Sequence, residues 1–151
     1  MIRYLVLWLC VGGGLTACTQ EITPAVNTPV SVPKTLDSMS TKNYTTGKKL
    51  IAMGSFQNAV HQTTGIAKVY ADSVQRSYTL VLENFKTDAG PDLRVYLAED
   101  RAVTNFIQIS DKVQNGNVVY DIPSDIDLKK RNHVLIWCKS FSVLFGAAEL
   151  K

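Results

Sequence analysis

From Gly47 to Lys151 apolar and polar residues alternate with a period of two, and turn residues break the alternation at short intervals. One run covers residues 65–70. Another covers 77–85, where Leu80 and Leu82 share a face. In 92–98, Leu93, Val95 and Leu97 alternate with Arg94 and Tyr96. Shorter runs follow at 106–109 and 117–122. The last stretch, 132–150, is too long for one strand and has Lys139-Ser140 as its corner. Gly90-Pro91, Asn115-Gly116 and Pro123-Ser124 supply turn chemistry between runs. No segment holds a 3.6-residue period beyond one turn near 100–105. About seven short strands with such punctuation predict an all-β fold, an antiparallel sandwich or barrel-like single domain over residues 47–151.

The chain ahead of this domain is built differently. Residues 1–17 carry one basic residue (Arg3), an apolar run over 4–11, three glycines and a small-residue end. That order describes a secretory leader, and the run is short of the ~20 residues a membrane span needs. Leu15-Thr16-Ala17-Cys18 resembles the bacterial lipoprotein box. The resemblance implies cleavage before Cys18, lipidation of Cys18, and a location in the bacterial cell envelope. With Thr19 following, a Gram-negative host would carry the protein on its outer membrane, facing the periplasm. An uncleaved N-terminal anchor is the alternative.

Residues 18–46 then read as lipid anchor and flexible linker. Residues 19–46 hold three of the five prolines, many Thr and Ser, and one aromatic residue, Tyr44. These 28 residues would span about 30 Å as a coil and about 90 Å fully extended. A part of this stretch adding an edge strand is the other reading.

Composition narrows the function by exclusion. The 151 residues are 46% hydrophobic and 19% charged, which excludes a wholly disordered chain and a multi-span membrane protein. The net charge of +3 is scattered, so no basic stripe points to nucleic acid. No phosphate-cradling loop, nucleophile elbow, i, i+4 His pair or CxxC is present. Two histidines, His61 and His133, are too few for a closed zinc site of nitrogen and sulfur ligands. Asp88 and Asp92 flank Ala-Gly-Pro and read as a turn, and Asp125 and Asp127 read as a solvated loop. With Cys10 in the leader and Cys18 lipidated, Cys138 is the one free thiol of the mature chain.

Several short segments occur in a specific order: Gly54-Ser55-Phe56, His61-Gln62-Thr63-Thr64-Gly65, Glu83-Asn84-Phe85, Gly90-Pro91-Asp92-Leu93-Arg94-Val95-Tyr96-Leu97, Ile136-Trp137-Cys138 and Phe145-Gly146-Ala147-Ala148. Together they resemble the DM-13 (DM-thirteen) domain over roughly residues 50–150. The resemblance implies an extracytoplasmic β domain acting in redox or electron transfer, through a cysteine as bare thiol or through a bound group such as haem. The matching cysteine is Cys138 and the matching histidine is His61.

Parity puts Cys138 on one face with Val134 and Ile136, and Leu135 and Trp137 on the other. Two readings follow for the thiol. It packs as a small hydrophobe, or it is a redox group or soft ligand for haem iron or copper, with His61 as second ligand or base. The strand-end position favours access, and Lys139 would favour thiolate. His61 could equally be a histidine bonded within the 54–65 loop, while His133 lies on the opposite parity. A thiol enzyme built on Cys138 and His61 lacks any oxyanion or third-residue signal. The sequence therefore points to an electron-transfer module with a redox or envelope protein partner. A non-catalytic ligand-binding or adhesion domain is the alternative.

Overall fold

The structure, a computed structural model, describes residues 31–36 and 38–151. The readings placed on residues 1–30, Cys18 among them, lie outside the described residues. A short strand β1 (Lys34–Leu36) and a helix α1 (Ser38–Thr45) come first. Eight strands follow: β2 (Lys49–Asn58), β3 (Thr63–Asp72), β4 (Ser77–Thr87), β5 (Leu93–Ala98), β6 (Ile107–Ser110), β7 (Gly116–Ile122), β8 (His133–Cys138) and β9 (Val143–Glu149). All pair antiparallel in the order β1-β7-β4-β3-β2-β9-β8-β5-β6. The sheet curves into a nearly closed barrel.

The seam of that barrel runs between β6 and β7, and the incoming chain bridges it. Ser31 donates its N–H to the Ile109 carbonyl of β6 at 2.9 Å. Its hydroxyl accepts the Asp121 N–H of β7 at 3.1 Å. Residues 34–36, within the stretch read as linker, pair with β7 as an edge strand.

Alternation built the interior. Ala67, Val69, Leu80, Leu82, Val95, Leu97, Val118, Tyr120, Val134, Ile136, Cys138 and Phe145 form one buried cluster, each contributed by a strand at period two. The opposite faces are not all wet. Tyr96, Ala98, Leu135 and Ala147 form a second cluster outside the barrel wall, covered by Val103 and Phe106 of the β5–β6 connection. Tyr96 and Phe106 stack there with ring centroids 4.4 Å apart. Val81 and Val119 also face outward, yet both are buried; α1 packs along β7 on that part of the wall.

One strand escaped the reading of the sequence. β2 is exposed along most of its length, and of its inward positions only Phe56 is large while Ala52 and Gly54 are small, so it shows no sustained hydrophobic alternation. Gly54 is required by proximity, because a Cβ there would sit 2.0 Å from the Glu149 carbonyl oxygen. His61 therefore lies in a tight β2–β3 connection and not in a long loop over 54–65.

Candidate functional site

Four connections converge at one end of the barrel. Asp88 donates its N–H to the Gln62 carbonyl at 3.3 Å, joining the β4–β5 loop to the β2–β3 connection. Lys139 donates to the Asp92 carbonyl at 2.9 Å, joining the same loop to the β8–β9 corner. Thr87 donates its N–H to Asn115 Oδ1 at 2.9 Å, which ties in the β6–β7 loop. Asn58, the Asp88-Ala-Gly-Pro-Asp92 segment and Asn115 shape three of these connections, while the β8–β9 corner is Lys139-Ser140-Phe141-Ser142, with Ser142 at positive φ.

At this end the His61 ring lies flat on Phe145, centroids 3.9 Å apart and planes 26° apart. His61 Nδ1 donates to Asp88 Oδ2 at 3.3 Å, and the same oxygen accepts the Gln62 N–H at 3.2 Å. The carboxylate, as acceptor, fixes Nδ1 as the ring nitrogen that carries hydrogen. Asp88, read from the sequence as a turn residue, is also the orienting partner of the histidine. The Asp-Ala-Gly-Pro-Asp spacing showed the turn, but the pairing with residue 61 is tertiary.

Cys138 ends β8 between Leu93 of β5 and Val143 of β9. It is 0% exposed and belongs to the interior cluster. The face assignment from parity holds, but the strand end brings no access. Above it, the β4–β5 loop closes the barrel end: a Cβ on Gly90 would lie 2.7 Å from Leu93 Cδ2 and 3.0 Å from Phe145 Cζ. Leu93 also walls an open cavity of about 470 Å³, flanked by Asp88, Asp92, Asp111 and Lys112. Arg94 pairs with Asp92, and that hydrogen bond holds the guanidinium above its ordinary pKa.

The structure brings His61 to Asp88 and Phe145, and Cys138 to Leu93 and Val143; no hydrogen bond joins His61 to Cys138. His133 is at the opposite end, bonded to Asn132 Oδ1 at 2.8 Å. Asp127 caps the N–H groups of Lys129 and Lys130. No group of three or more His, Cys, Asp or Glu side chains among the described residues could hold a metal ion. The Cys138 thiol is enclosed by apolar side chains, while His61 sits outside, committed to Asp88. This donor set does not fit haem or copper held by the two residues together.

The arrangement defines a small antiparallel β-barrel with one enclosed thiol among the described residues, Cys138, at its loop-covered end. The family model for electron transfer DM13 matches residues 55–150, which takes in β3 to β9 entirely and the end of β2. The chain belongs to the DM13 family. No curated protein and no solved structure matches it.

Proposed function

We propose that the protein is a lipid-anchored electron-transfer module of the bacterial cell envelope, held through Cys18 and acting through Cys138. The DM13 match over residues 55–150 carries the electron-transfer part. The Leu-Thr-Ala-Cys18 segment supports the anchor. Cys138 is the one thiol among residues 31–151, so thiol chemistry in the barrel has no other candidate. Its burial sets the condition: a partner or oxidant reaches the sulfur only when the loop end opens. His61, bound to Asp88 and stacked on Phe145, is a latch on that end and positions the loop rather than ligating with the sulfur.

Protein purified from its native membrane tests this reading. Expected are a lipid on Cys18, lost in Cys18→Ala, and a Cys138 thiol that reacts slowly in the folded protein. A thiol inert until the barrel unfolds, in a protein without visible absorbance, would overturn the redox role. The open cavity of about 470 Å³ beside Asp88 and Leu93 would then favour the ligand-binding reading.

A further inference from the structure

The two ends of the barrel differ in their exposed apolar residues. Lys49 pairs with Ala71, Asp72 with Ser77, and Tyr78 with Ile122, so the start of β2, the β3–β4 turn and the end of β7 share one end. Ser31 enters there, against Asp121. This is the end opposite Cys138. Large hydrophobic side chains exposed on this half are Val32, Leu50, Ile51, Met53 and Val74, the last 90% exposed. They follow the arc β1-β7-β4-β3-β2. Lys49 and Arg76 stand exposed among them, as does one acid, Asp121, while Lys48 is bonded to Thr79 and Asp72 is occupied in capping Val74 and Gln75.

We propose that this end is a membrane-docking surface that seats the barrel on the bilayer to which its chain is tethered. Apolar tips with flanking cations match the boundary between acyl chains and anionic headgroups. The tether supports the same occupant. Twelve residues separate Cys18 from Ser31, thirteen Cα steps with a reach of at most about 45 Å, and they join the barrel on the apolar end. The docked barrel would point its Cys138 end, with exposed Val60 and Phe141, away from this membrane. The orientation rests on the anchor reading; the surface itself does not.

The test uses the full lipoprotein in vesicles of phosphatidylethanolamine and phosphatidylglycerol. An NBD label is placed at Val74→Cys or Phe141→Cys, with the unsubstituted chain as blank for Cys138. Reduction of the label by dithionite should be about ten-fold slower at residue 74 than at 141, since docked tips are withdrawn from the aqueous ion. Leu50→Ser with Ile51→Ser should narrow that ratio while the protein still floats with the vesicles. Equal fast reduction at both labels in floating protein would overturn docking and leave the anchor standing. Protection at residue 74 without a lipid on Cys18 would support docking and overturn the anchor. Failure to float would overturn both.

Discussion

His61 and Phe145 stack 3.9 Å apart, and through that contact a partly exposed histidine covers a core aromatic of the cluster that holds Cys138. Stacked rings are worth about 0.5–1.5 kcal/mol beyond their buried area. Removing the ring by His61→Ala should therefore raise the rate of Cys138 alkylation in the folded protein by about two- to ten-fold. His61→Phe should keep much of the protection, since it retains the stack and loses only the exposed bond to Asp88. Thiol-specific labelling followed by mass measurement reads both. A His61→Ala rate equal to wild type would show that the histidine does not hold the loop end.

Two glycines predict different costs. At Gly54 a Cβ meets the rigid Glu149 carbonyl, so Gly54→Ala must separate β2 from β9. At Gly90 the obstacles are the side-chain tips of Leu93 and Phe145. Overpacking that side chains can absorb costs about 1–3 kcal/mol, and Gly90→Ala should fall in that range. Gly54→Ala should cost more or prevent folding. Denaturant unfolding checks the order, and Gly90→Ala should also change the Cys138 alkylation rate because the loop covers Leu93.

Cys138→Ser places a hydroxyl in the apolar interior cluster, and about 1–3 kcal/mol should be lost from unfolding stability. Cys138→Ala loses only packing and should cost less. Equal stability of the Cys138→Ser variant and wild type in denaturant would show that the site is wetter than the barrel interior described here.

Tyr120 gives the fold a definite alkaline limit. Burial raises its pKa well above the ordinary tyrosine value, against a smaller lowering by a hydrogen bond to the Gln114 backbone, and the hydroxyl also donates to the Lys112 carbonyl at 3.5 Å. The raised folded value means that the unfolded chain ionises first. The contribution is intact below about pH 10 and is lost as pH rises above it, by about 1.4 kcal/mol per unit. Tyr120→Phe should flatten the fall in stability between about pH 10 and 11 relative to wild type. Parallel curves for the two proteins would contradict the buried phenol.

Much of this architecture was legible because it depends on local alternation. Val134, Ile136 and Cys138 do share the interior face, and the corner after Cys138 falls at residues 139–142 as Lys139-Ser140 suggests. β2 was not legible, since Phe56 is its one large inward residue, Ala52 and Gly54 are small, and Ile51 and Met53 are apolar but exposed. Burial of Cys138 was equally hidden. Strand position gives the face of a side chain, while the cluster that buries it is assembled from other strands, with Leu93 paired opposite Cys138 and Phe145 in the same cluster. The His61–Asp88 contact spans 27 residues and needs the barrel to form. Val119 looks like an ordinary outward position until α1 packs along β7.

The proposed redox role requires that the Cys138 thiol be reached by opening of the loop end alone. Alkylation of the native protein, measured across sub-denaturing urea concentrations, tests it most directly. Local opening exposes little surface, so the rate should depend weakly on urea and exceed the rate that global unfolding permits. A rate that rises with the full urea dependence of global unfolding, and equals it, would contradict the account and make Cys138 a packing residue.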